Sequence, residues 1–120
     1  PIGTLQLVAG CQFSVSTTGA VQGPYNTHNV SGVTRSQKGR FTVSLTSTDG
    51  FTLSYGMGFA AGYGRNGATD NGPGTNMGDD EFTFNVGVKV KTSNVEINIK
   101  DNNADNDRDP YEVYFVLFSD

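Results

Sequence analysis

Apolar residues recur at every second position through most of this chain, and that period constrains its fold more than any other feature. The stretch RFTVSLT, residues 40–46, sets Phe41, Val43 and Leu45 on one side of an extended backbone, with Thr42, Ser44 and Thr46 on the other. FTLSYGMGF does the same with Phe51, Leu53, Tyr55, Met57 and Phe59. EFTFNVGVKVK does so with Phe82, Phe84, Val86, Val88 and Val90, and NVEINIK with Val95, Ile97 and Ile99. A period of two belongs to a strand buried on one face and wet on the other, as in antiparallel sheets. No stretch carries a helical period with caps. Further strands are predicted at 4–9, 12–16, 30–35 and 111–118, and STDG (47–50) and KTSN (91–94) read as tight hairpin turns. The expectation is one all-β domain over 1–120, an antiparallel β-sandwich of seven or eight strands with a jelly roll as one form of it. A chain of 120 residues can bury roughly 65% of its unfolded surface, which suffices for a core. The one long irregular stretch is 60–80, AAGYGRNGATDNGPGTNMGDD, and loops of that length are usually functional or mobile.

Charge narrows the partners. Eight basic residues against twelve acidic ones leave a net charge of -4, a balance that repels phosphate backbones, so nucleic acid is not expected. No run reaches the ~18 apolar residues of a membrane helix, so no membrane insertion is expected. Nothing reads as a signal peptide, and an extracellular role is expected to follow release by lysis. The single cysteine, Cys11, cannot form an internal disulfide and reads as a small buried apolar residue.

Motifs for chemistry are sparse. Gly62, Gly64 and Gly67 match G-x-G-x-x-G by letter, but ATDNGPG follows, with Pro73, where a dinucleotide site needs a helix N-terminus. His28, the only histidine, lies in the polar GPYNTHN and reads as a surface or turn residue. Asp79, Asp80 and Glu81 are a carboxylate group that a glycosidase could use, though clustered acids beside a glycine-rich loop also make a solvated rim. No enzyme is expected. Asn29-Val30-Ser31 is a glycosylation sequon by letter.

The acidic run is a sharper case. Asp101, Asn103, Asp105, Asp107, Asp109 and Glu112 occupy positions 1, 3, 5, 7, 9 and 12 of a calcium-loop register. Hard oxygen ligands at alternate residues converge when such a loop curls. Against an EF-hand stand Asn106 at the sixth position, Pro110 inside the loop, and strands rather than helices on both sides. A calcium loop of another kind joining two strands is one reading, and a polar hairpin loop kept soluble by its charges is the other. Ca2+ is the one cofactor the sequence raises.

In YEVYFVLF both alternating sets are apolar: Tyr111, Val113, Phe115 and Leu117 on one face, Tyr114, Val116 and Phe118 on the other. Such a strand needs cover on both sides. A second sheet supplies one cover, and a neighbouring copy in a symmetric oligomer is expected to supply the other through Tyr114, Val116 and Phe118.

The run NVSGVTRSQKGRFTVSLTSTDGFTLSYGMG, residues 29–58, resembles a module of bacteriophage tail-fibre and minor tail proteins. That module carries N-V-S-S-I, then G-x-Y-T-V-x-F, then Y-x-V, and closes on a short apolar strand, as DPYEVYFVLFSD does here. Ser47-Thr48-Asp49-Gly50 stands where the family has a T-P-M-P turn, and the 60–80 stretch has no counterpart in it. The resemblance implies a virion structural protein, a β-sandwich assembling as a homotrimer, and no chemistry. Without a shaft, the chain is expected to be an excised fibre tip or a small free-standing capsid decoration (cement) or head-fibre protein.

On this reading a rigid β-scaffold presents loops to a host-surface glycan or another virion protein. The contact surface is expected in the 60–80 stretch. Tyr63 is its stacking face, Arg65 its charged fork, and Asn66, Asp70, Asn71 and Asn76 its polar contacts. The rival readings are a calcium-stabilised carbohydrate-binding module of a secreted bacterial protein, which the absence of Trp disfavours, and a small hydrolase using the acids at 79–81.

Overall fold

The computed structural model describes residues 5–16, 18–63, 65–66, 76–77, 84–101 and 109–119. Their strands are β1 (Gln6–Val15), β2 (Val21–His28), β3 (Val30–Gln37), β4 (Arg40–Leu45), β5 (Met57–Tyr63), β6 (Arg65–Asn66), β7 (Asn76–Met77), β8 (Phe84–Val90), β9 (Asn94–Asp101) and β10 (Glu112–Ser119). Sheet 1 has the order β2-β1-β10-β5, sheet 2 the order β3-β4-β9-β8, and β6 pairs β7 in a short ribbon. All pairings in the three sheets are antiparallel. The two four-stranded sheets pack face to face as the expected β-sandwich. The pairings nest, β1 with β10 and β4 with β9, while β5 lies against β8 across the gap.

The core forms where the two period-two patterns meet. Phe13, Val15, Val113, Phe115 and Leu117 of sheet 1 face Phe41, Val43, Val95, Ile97 and Ile99 of sheet 2, all nearly or fully buried. Phe13 and Phe41 pack as a tilted ring pair with centroids 5.2 Å apart. The alternation read in β4 and β9 therefore points as expected. KTSN closes the β8–β9 hairpin through Lys91 N–H donating to the Asn94 carbonyl at 2.9 Å.

Other elements differ from the expectation. Residues 6–15 form one continuous strand where two were predicted, with a bulge between Leu7 and Ala9. Strand β2, VQGPYNTH, was not predicted. It is polar and contains Pro24, which suits its place at the sheet edge, where a missing N–H disrupts no ladder. STDG makes a turn but no hairpin, because β4 pairs with β3 and β9 while the chain crosses to sheet 1 for β5. In place of a strand from Phe51, Leu53–Tyr55 form a 3-10 turn and β5 begins at Met57.

The faces of β5 are also the reverse of the expected ones. Met57 and Phe59 point outward and are half-exposed, whereas Gly58, Ala60 and Gly62 take the inward positions. A Cβ on Gly58 would come within 2.5 Å of Val88 Cγ1, so β5 lies too close to β8 for side chains there. The stretch predicted to be irregular from residue 60 continues as strand through Tyr63, then as the ribbon pairing Arg65 with Met77 and Asn66 with Asn76.

Candidate functional site

Strand register fixes what the outer face of sheet 1 presents, because directly opposed residues share a face. One row across the sheet is Leu7–Phe118–Met57, the next His28–Gly10–Val116–Phe59, and the third Tyr25–Gln12–Tyr114–Ala61. None of these positions is Asp, Glu, Lys or Arg. Leu7, Tyr25, Met57 and Tyr114 are each 45–47% exposed and Phe59 is 56% exposed, while Val116 and Phe118 are half-buried. Phe59 packs edge-on to Phe118, ring centroids 6.2 Å apart.

With a full aromatic side chain covering about 150–250 Å2, these half-exposed groups leave on the order of 400 Å2 of open apolar surface. That is the scale of patches that mark interaction sites. It is also about half of the ~800 Å2 that a standard interface takes from each partner.

The face is graded along the strands. Beyond Tyr114 the next row holds Gln22, Ser14 and Glu112, and its polar groups are tied together. Asn26 Nδ2 donates to Gln12 Oε1 at 2.9 Å, Gln12 Nε2 donates to Glu112 Oε1, and Ser14 Oγ donates to Gln22 Oε1 at 3.3 Å. Within the apolar part lies a notch of about 250 Å3 at Gly10, rimmed by Leu7, Gln12, His28, Tyr114 and Val116. A residue other than glycine there would bring its Cβ within 3.1 Å of the Phe115 carbonyl, so the notch is set by close backbone packing.

Tyr114, Val116 and Phe118 thus lie on one open face, as their alternation predicted. Leu7, Tyr25, Met57 and Phe59 complete it and were not read as part of it. Met57 and Phe59 were visible as apolar residues but assigned to the core, and Tyr25 stands on a strand with no alternation to reveal it.

The calcium register separates into different environments. Asp101 ends β9 with its backbone opposite Phe84, and Asn103, Asp105 and Asp107 lie outside the described residues. Asp109, 1% exposed, is an internal anion. Its Oδ1 accepts from Arg35 Nε at 3.0 Å and from the Gly39 N–H at 2.9 Å, and its Oδ2 accepts from Arg35 Nη2 at 2.7 Å. Glu112 belongs to β10 and accepts from Gln12 on the outer face. Among the described residues no three His, Cys, Asp or Glu side chains converge as a metal site requires.

Of the expected contact residues, Tyr63 ends β5 opposite Glu112, while Arg65, Asn66 and Asn76 lie in the ribbon beyond it. Asp70, Asn71, Asp79, Asp80 and Glu81 lie outside the described residues.

The remaining motifs are structural where they are described. Burial pushes the Cys11 thiol up to about 11, which keeps it protonated and unreactive at neutral pH. Gly62 is paired in β5 opposite Val113, not at a helix start. Asn29, at φ 57°, clamps a corner. Its Nδ2 donates to the Val8 carbonyl at 3.1 Å and the Ser47 carbonyl at 2.7 Å, and its Oδ1 accepts from the Ser47 N–H at 2.9 Å. A glycan on that nitrogen would replace one of the two hydrogens that make these bonds and crowd the corner, so the sequon is an internal brace. Comparison with family models, curated proteins and solved structures finds no match to this chain.

Proposed function

We propose that this protein is a non-enzymatic bacteriophage virion structural protein that assembles as a homotrimer through the outer face of sheet 1. The observation that carries the reading is the open apolar face around Tyr114, Val116 and Phe118, which has no Asp, Glu, Lys or Arg in its three central rows. A partner for such a face needs apolar surface and no complementary charge, and a second copy brings the same surface.

The direction of the strands adds support. At one end of sheet 1 Gln6 pairs with Ser119; at the other, β5 leaves toward the β6–β7 ribbon. Copies packed side by side would point all their ribbons the same way. That suits a tail-fibre tip meeting a host-surface glycan, or a capsid decoration or head-fibre protein meeting its neighbours, with the virion as its location.

Light scattering after gel filtration tests the assembly. The expected mass is three times 12.8 kDa, unchanged in excess chelator. A stable monomer at micromolar concentration would remove the trimer and the reason for the open face.

One observation favours a second reading, a carbohydrate-binding module. Tyr25 and Tyr114 flank Gln12, whose amide is held between Asn26 and Glu112, and half-exposed rings beside a fixed amide suit a pyranose. A monomer whose tyrosine fluorescence responds to oligosaccharides would establish this reading over the first.

A further inference from the structure

We infer that Phe59 of one copy seats in the Gly10 notch of the next, in a ring whose axis runs along the strands. The inference rests on the self-association reading of this face and adds to it which residues meet.

Knob and notch are both present on one copy. Phe59 is the most exposed of the large apolar side chains in the three central rows, and its ring meets that of Phe118 edge-on. The notch, about 250 Å3, exists because Gly10 has no side chain where its row neighbours have His28 and Val116. Its floor is strand backbone and its rim is mostly apolar, with Gln12, Asn26 and His28 at the side. A benzyl group fits its size and needs no polar partner.

Position fixes the geometry. Phe59 and Gly10 lie in the same cross-strand row, on β5 and β1 with β10 between them. They are two strand spacings apart, about 10 Å. Rotation about an axis parallel to the strands leaves height along the strands unchanged. In such a ring the Phe59 of one copy stands level with the notch of its neighbour. Because knob and notch occupy different places, each interface is head-to-tail, and a closed ring satisfies every knob and every notch.

A cross-linking experiment tests this directly. Chains carrying His28→Cys and chains carrying Ala61→Cys, which lies beside Phe59 on the same face of β5 and leaves that ring in place, are given different tags, co-expressed and treated with a short bis-maleimide. Cys11 is buried and stays silent. The expected result is a covalent product joining one chain of each kind, with none from either variant alone. A trimer giving no mixed product, or one in which Ala61→Cys chains cross-link to each other, overturns the knob-and-notch contact and leaves the assembly reading standing. A monomer at all concentrations overturns both. Phe59→Ala is the second measurement: it should weaken assembly at least 10-fold with the thermal midpoint of the dissociated chain unchanged. Undiminished assembly of this variant would also overturn the contact.

Discussion

The two sheets have the same number of strands and share one core, but their outer faces are built on opposite rules. Across sheet 2 one outer row reads Thr34–Thr42–Glu96–Lys89 and another Gln37–Arg40–Asn98–Gly87. These positions are polar, charged or glycine, and Lys91 and Glu96 add an exposed ion pair at 2.7 Å. Across sheet 1 the equivalent rows carry Leu7, Met57, Phe59, Val116 and Phe118. Sheet 2 is a one-sided sheet finished toward water; sheet 1 is two-sided, as a sheet between two packed layers would be. The difference teaches that the two outer faces of this fold are finished for different surroundings, water on sheet 2 and, on the proposed reading, a second copy on sheet 1, while stability comes from what lies between them.

Charge placed on each outer face should break that comparison most strongly. Val116→Asp puts a carboxylate into the centre of the sheet 1 face and should weaken assembly at least 100-fold, since a covered, unpaired charge is costly. Thr34→Asp on the edge strand of sheet 2, exposed and opposite Thr42, should leave assembly unchanged. Sedimentation velocity across a concentration series distinguishes them, and equal effects from the two substitutions would end the distinction between the faces.

Between the sheets, Arg35→Ala leaves the buried Asp109 carboxylate with, among the described residues, the Gly39 N–H alone. It should cost about 3 kcal/mol of unfolding free energy, read from the urea midpoint. Gly58→Ala comes next, at roughly 1–2 kcal/mol, because the new methyl meets Val88. Val88→Ala in the same chain should recover part of that loss, and strictly additive effects would show that the two strands are not in contact there. Lys91→Ala should change the urea midpoint least, the pair being exposed. The Lys91 hydrogen bond holds the Glu96 carboxyl below its usual range. Whatever the pair contributes is therefore present above the ordinary carboxylate range and lost as pH falls through the lowered value. NMR titration of Glu96 should show its pKa move back up in Lys91→Ala.

Much of sheet 2 was legible because β4 and β9 obey one rule: apolar inward, polar outward, at a strict period of two. Sheet 1 obeys mixed rules. In β5 the large apolar residues face out because Val88 of β8 leaves no room for a side chain at Gly58 and the Glu112 carbonyl of β10 none at Gly62, and a sequence pattern of large and small residues does not say which set is buried. Strand β2 has no alternation at all. The last strand was legible because both of its faces are apolar, which pointed to Tyr114, Val116 and Phe118. The partners of that face were not, since Leu7, Tyr25 and Phe59 join it only through cross-strand register. Asp109 looked like any acid of its run. Its partner Arg35 lies 74 residues away, and no local pattern joins them. Asn29 likewise read as a sequon, because its clamp on Val8 and Ser47 exists only once three segments meet.

The nested strand order also has a consequence in time. β1 and β10 are neighbours at the centre of sheet 1, with Gln6 opposite Ser119, yet they emerge from a ribosome about 100 residues apart, an interval of roughly 5–20 s at ordinary synthesis rates. During that interval β1 can hold β2 on one edge while its other edge waits unpaired. The outer face of sheet 1 is complete only once β10 has emerged and paired, so any association through that face comes after this step and not before it.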